Sequence, residues 1–335
     1  MTTQTIKIAT RGSKLALWQT NYISSLLTAK NYKTELNIIK TKGDRVQNRF
    51  LHEIGGKGLF VRELETSMLE GETHIGVHSL KDLPAKTPEP FVLAAIMKRH
   101  EVADALIVSD ELYKRISDKY GKDIRITASI LKELGKLSIA TASLRRQSLL
   151  KGASDLVEVV PVRGNVDTRI QKRKDNSWDA LILAGASLER LQIDEPHFLF
   201  DTDWFTPSPA QGALALECVK GSFAEPILES LSDKRTFHCA SIERKVLELL
   251  GGDCTMPFGA FMRWDETSSK TLATALVINY EGEEARTNIS FDKKPEELDI
   301  QETGKILRDS FEQSQLKKIL SDLELKTPEL GELKS

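Results

Sequence analysis

The sequence predicts an α/β protein: two lobes with mainly parallel sheets facing a cleft, followed by a small α+β C-terminal domain. Three observations predict it. Short apolar runs rich in β-branched residues alternate with helix-length amphipathic segments. Strand, small polar residue and helix follow one another repeatedly, the order of a parallel sheet. From about Lys234 onward the pattern changes to one helix, three strand-like stretches and a closing helix. A chain of 335 residues with 40% hydrophobic content exceeds one typical core and divides more naturally into domains of about 100 residues each.

In chain order, Ile6–Thr10, Ile75–Val77, Leu137–Ala140, Val157–Val162 and Ala180–Ala184 have the length and branching of buried strands. One internal echo is informative. Ile8-Ala9-Thr10-Arg11-Gly12-Ser13-Lys14-Leu15 resembles Ile139-Ala140-Thr141-Ala142-Ser143-Leu144-Arg145-Arg146, and each run sets Thr and Ser after a strand and a basic residue at the helix start. Glu101–Asp104, between the strands Phe91–Met97 and Ala105–Val108, reads as a hinge. A second crossing is expected at Asp203–Pro209, where Pro207 and Pro209 interrupt both helix and strand. Two crossings imply two lobes, with expected boundaries at 1–103 plus 208–232, 104–207, and 233–335. The last domain should hold a helix over Ala240–Leu250, strands over Phe258–Trp264, Thr271–Asn279 and Ala285–Ser290, and one helix over Glu302–Leu320. The charged stretch Tyr113–Gly135 reads as a surface excursion.

Lys+Arg at 47 against Asp+Glu at 49 leaves a net charge of -2, so the global positive excess of a nucleic-acid binder is missing. Met1–Thr10 has no basic segment followed by a long apolar run, and no stretch approaches the roughly 18 apolar residues of a membrane span. Cys218, Cys239 and Cys254 form no C-x-x-C pair and are odd in number, which argues against a disulfide framework. A cytoplasmic protein without nucleic-acid or membrane partners is expected. The scattered histidines show no ligand spacing, so no metal is expected.

Arginine gathers near expected strand ends and helix starts: Arg11, Arg145, Arg146, Arg163, Arg169 and Arg190. A single arginine is ordinarily a solvated helix face. Together, at the end of a parallel sheet where helix N-termini already favour anions, they make a site for a polyanionic ligand. The run Gly55-Gly56-Lys57-Gly58 lacks the spacing and hydroxyl of a phosphate loop and reads as a glycine-rich flap, with Phe60 at its end, over the cleft mouth. In His78-Ser79-Leu80-Lys81-Asp82-Leu83-Pro84, Asp82 is either a turn former or an acceptor-only group that stabilises a cation. Cys218 and Cys239 read as packing residues. Cys254, between Gly251-Gly252-Asp253 and Pro257, sits in a loop where a thiol can act as a nucleophile.

These motifs, with Ser143-Leu144-Arg145-Arg146-Gln147, Arg163-Gly164-Asn165-Val166 and Pro209-Ala210-Gln211-Gly212, occur in an order similar to that of the porphobilinogen deaminases, and the likeness runs over nearly the whole chain. The resemblance implies two periplasmic-binding-protein-like (type II) lobes and a third domain whose loop carries a dipyrromethane cofactor in thioether linkage to Cys254. It implies that Asp82 is the central catalytic carboxylate, and that Arg11, Ser13, Lys81, Ser143, Arg145, Arg146, Arg163, Arg169 and Arg190 bind cofactor and substrate side chains. It further implies porphobilinogen as the substrate, and a monomer is expected. Ala142 departs from the serine of many members, and Asp167 brings a carboxylate close to a carboxylate-binding loop. The competing reading is a non-catalytic two-lobed receptor for a solute or effector, which would need neither the Cys254 loop nor its domain.

Overall fold

The computed structural model describes residues 5–40, 61–253 and 255–326. In the first lobe the sheet is built from β1 (Ile6–Thr10), β2 (Thr34–Ile38), β3 (Ile75–Ser79), β4 (Phe91–Ile96) and β11 (Leu214–Val219), in the order β2-β1-β3-β11-β4. The second sheet holds β5 (Asp104–Val108), β6 (Arg125–Ile126), β7 (Leu137–Ala140), β8 (Val157–Val160), β9 (Ala180–Ala184) and β10 (His197–Phe200), in the order β6-β10-β5-β9-β7-β8. Each sheet is parallel but for one strand. β11 runs against β3 and β4, and β5 runs against β9 and β10. Both are the first strand after a crossing between lobes, so the chain enters each sheet in the reverse direction. Every residue of β5 and β9 is buried, as expected of strands covered on both faces.

The two crossings lie against each other. His100 donates its backbone N–H to the Gly212 carbonyl at 3.0 Å. A Cβ on Gly212, whose φ is 86°, would meet the His100 carbonyl oxygen at 2.7 Å, so only glycine fits this approach.

Tyr113–Gly135 is not a surface excursion. Helices at Asp110–Tyr120 and Ala128–Glu133 flank β6, and Leu112, Ile116, Ile126, Leu131 and Leu134 are buried in the second lobe's core. Tyr113 stacks on Phe198 at 5.0 Å. On the first helix the apolar side is one narrow stripe, Leu112 and Ile116, which the surrounding charges obscure in sequence.

The C-terminal part packs a long helix, Lys234–Leu249, and two further helices on an antiparallel sheet of β12 (Phe258–Asp265), β13 (Lys270–Ile278) and β14 (Glu284–Phe291). The closing helix expected at Glu302–Leu320 is two, Ile300–Asp309 and Gln313–Lys326. The break has a local cause. The Glu312 carboxylate accepts from the backbone N–H of Ser314 and Gln315 and so starts a new helix. This sheet domain grips the crossings. Buried Glu243 accepts both Arg99 Nη atoms, at 2.6 and 2.9 Å, and the N–H of Ala210 and Met262. Arg286 donates to the carbonyls of Asp203 and Trp204 and to Thr206 Oγ1. Among the described residues no helix is long and apolar enough to cross a membrane.

Candidate active site

The first lobe presents a carboxylate. β3 runs into a short 3-10 turn, Leu80–Asp82, closed by the Leu83 N–H donating to the Leu80 carbonyl, and Asp82 is exposed at its end. Beside it Lys81 Nζ donates to Gln211 Oε1 at 3.0 Å. Burial pushes the Lys81 amine down to about 8; the repulsion of Arg146 and Arg145 adds to this, and the attraction of Asp82 and Asp104 opposes it.

The second lobe presents cations, in two layers. The inner layer is closed on itself: Arg145 and Arg146, at the start of the helix Leu144–Ala153, each donate an Nη2 to fully buried Asp104 at 2.6 Å. Their other Nη atoms reach the carbonyls of Thr206 and Ile182. Gln211 Nε2 donates to Asp104 at 2.9 Å and to the Val102 carbonyl. Burial alone would raise the Asp104 carboxyl; the attraction of Arg145 and Arg146 outweighs it and holds the group far below the usual carboxylate range.

Two further arginines lie within electrostatic reach of Asp82. Arg169, in the helix Val166–Asp175, anchors its Nε on the Gly164 carbonyl at 2.7 Å. Arg190, in the last turn of the helix Gly185–Leu191, donates to the Gly212 carbonyl at 2.7 Å and lies 6.0 Å over the Trp18 ring. Burial pushes each guanidinium down to about 10, and Asp82 is among the charges that oppose the shift in both. The carboxylate of one lobe therefore acts on the arginines of the other. Arg146 Nε and Arg190 Nε are buried and have no hydrogen-bond acceptor among the described residues, so the wall holds donor capacity in excess of its own acceptors.

Ser13 caps the helix Lys14–Ala29 by accepting the Ala16 N–H at 3.3 Å, whereas the Ser143 hydroxyl does not cap its helix. Arg11 follows β1 in the first lobe, and Arg163 is half-buried in the loop before Val166–Asp175. Asp167 pairs across the cleft with Lys14 at 3.1 Å, whose hydrogen bond holds its carboxyl below the usual range. Cys254 and the flap residues Gly55, Gly56, Lys57 and Phe60 lie outside the described residues. Residues on either side of Cys254 nevertheless meet the turn that carries Asp82: one pocket is lined by Lys81 and Leu83 together with Asp253, Met256 and Phe258. Cys218 and Cys239 are buried, and burial pushes their thiols up to about 11 and about 12. Among the described residues no His, Cys, Asp and Glu gather as a metal-ligand set.

Residues 6–224 match the family model described as "Porphobilinogen deaminase, dipyromethane cofactor binding domain". The chain belongs to the porphobilinogen deaminase family. It is 40% identical over 257 residues to the porphobilinogen deaminase of Sulfurimonas denitrificans, covering 75% of this chain and 77% of that one. To that of Xanthomonas axonopodis pv. citri it is 40% identical over 266 residues, with 78% and 82% covered. Among solved structures it is similar to the BenM effector binding domain with its effector benzoate, at 13% identity and a TM-score of 0.40, covering 74% of this chain and 93% of that one. The porphobilinogen deaminase match spans every predicted site residue from Arg11 to Arg190, while Cys254 lies beyond it.

Sequence reasoning missed Asp104 and Gln211 as the centre of the buried arginine network, and Arg99, Glu243 and Arg286 as the grip of the third domain. The signal for Asp104 was present: a carboxylate that opens a fully apolar strand, Ala105–Val108, must be buried and needs cations.

Proposed function

We propose that this chain is a transferase, a porphobilinogen deaminase (hydroxymethylbilane synthase), that joins four porphobilinogen molecules head to tail with loss of four ammonia and releases the linear tetrapyrrole by hydrolysis. It acts as a cytoplasmic monomer of three domains, 1–103 with 208–232, 104–207, and 233–335. The dipyrromethane cofactor is held by a thioether to Cys254. The other two cysteines are poor candidates, since burial keeps both thiols protonated at neutral pH. The residues present fit a carboxylate-rich group: buried Arg146 Nε and Arg190 Nε have no acceptor among the described residues, and Ser143 has a hydroxyl that does not cap its helix. When bound, the dipyrromethane supplies the carbon nucleophile on which the product grows.

The buried arginine wall, in which Arg146 Nε and Arg190 Nε have no acceptor among the described residues, carries the reading. Arg11, Ser13, Lys81, Ser143, Arg163, Arg169 and Arg190 neutralise and orient acetate and propionate groups in the cleft. Arg145 and Arg146 have both Nη atoms committed to Asp104 and to the Thr206 and Ile182 carbonyls, so they act chiefly through their charge, with Arg146 Nε as a remaining donor. As ammonia leaves the aminomethyl group of porphobilinogen, the pyrrole nitrogen pushes out the leaving group and positive charge develops on the ring. Asp82 accepts the pyrrole N–H and stabilises that charge, with no reorganisation needed at the moment of reaction.

The test is ammonia release and tetrapyrrole formation by cofactor-loaded protein. Asp82→Asn should lower turnover on the order of 10²–10³-fold with substrate binding little changed, and Asp82→Glu should fall between it and the parent. If loaded Asp82→Asn matches Asp82→Glu, the charge of this residue is not the source of catalysis.

A further inference from the structure

Arg244 lies on the helix Lys234–Leu249 of the third domain, ten residues before Cys254, and is 7% exposed. Among the described residues it has no carboxylate within ion-pair distance; its guanidinium is spent on main-chain oxygens of the first lobe. Nη1 donates to the carbonyls of Leu80 at 3.2 Å and Leu83 at 3.3 Å. Nη2 donates to those of Pro84 at 2.6 Å and Ala85 at 3.2 Å. These four carbonyls bracket Asp82 on both sides. A buried charge costs free energy unless it is fully hydrogen-bonded, and burial does push Arg244 down to about 10. A planar fork of N–H donors can satisfy four divergent carbonyls, which the compact ammonium of lysine cannot. The same side chain borders the pocket shared by Lys81 and the stretch around Cys254.

We propose that Arg244 is a positioning residue: by clamping the carbonyls of Leu80, Leu83, Pro84 and Ala85, it fixes the Asp82 turn relative to the domain that carries Cys254. The proposal rests on the assignments of Asp82 and Cys254 made above. It makes the third domain a gauge of the distance between the carboxylate and the growing end, in addition to an anchor. An apolar or lysine side chain at this position frees the turn, moves Asp82 by a fraction of an ångström and lowers kcat while the arginines still hold substrate.

The test is a double-mutant cycle on cofactor-loaded protein, with loading measured by intact mass. Arg244→Met should lower kcat about 10- to 100-fold with KM within about twofold, and Arg244→Lys should recover part of the loss. In an Asp82→Asn background the same substitutions should cost less than about threefold, because no carboxylate remains to be placed. Hydrogen exchange should quicken in residues 80–86 while β12–β14 stay protected. Should Arg244→Met not fold, Arg244→Lys carries the same cycle. Additive losses, or exchange that quickens throughout the third domain, would make Arg244 a merely structural contact and overturn the proposal. A harmless Asp82→Asn would instead sink the assignment of Asp82.

Discussion

The two lobes build the same turn and use it differently. In the first, β1 ends at Thr10, Ser13 caps a helix, and Lys14 at its start reaches out across the cleft to Asp167. In the second, β7 ends at Ala140, Ser143 opens a helix without capping it, and Arg145 and Arg146 turn inward to Asp104. The cause lies in the crossing strands. β11 enters the first sheet with Leu214, whereas β5 enters the second with a buried carboxylate. One residue at a crossing thus decides whether a turn offers its basic side chains to the solvent or locks them beneath the wall. Gln211 ties that lock to Lys81, the neighbour of Asp82.

Breaking the inner lock should have the largest effect on stability. Asp104→Asn leaves two buried guanidinium groups without their charge partner and should cost about 3–5 kcal/mol in denaturant unfolding; a loss below about 1 kcal/mol would mean that the pair is solvated in solution. Lys81 gives a smaller effect, visible through pH. Its folded value of about 8 lies below the ordinary 10.5, so between those values the unfolded chain binds the extra proton and stability rises with pH. In cofactor-free Cys254→Ala protein that slope should approach about 1.4 kcal/mol per pH unit over pH 8–10 and flatten in a Lys81→Met background; equal slopes would show an unperturbed amine. Smallest is the contrast between the serines. Ser13→Ala should cost about 1 kcal/mol through its lost cap, while Ser143→Ala should leave thermal stability nearly unchanged and weaken substrate binding. Equal melting losses would erase the difference between the two turns.

Part of this was legible. The echo between the Thr10 and Thr141 turns marks two strand-to-helix junctions; the chain passes between the two sheets over residues 97–103 and 201–213, and Asp104, read as part of a hinge, opens β5. What escaped reading depends on pairing at a distance. Asp104 meets Arg145 and Arg146 some forty residues on, and Arg244 meets the Asp82 turn across 159 to 164 positions. Neither contact leaves a periodic trace. In Tyr113–Gly135 the two-residue strand β6 is too short to show alternation. The break at Glu312 turns on one side chain's choice between solvent and two backbone amides.

The measurement closest to the central claim is the mass of the intact protein as purified, followed by peptide mapping. The account predicts a covalent adduct equal to two pyrrole units, confined to the peptide that contains Cys254, and an unmodified Cys254→Ala protein that releases no ammonia from porphobilinogen. A bare parent chain that still turns over porphobilinogen, or an adduct on Cys218 or Cys239, would contradict it.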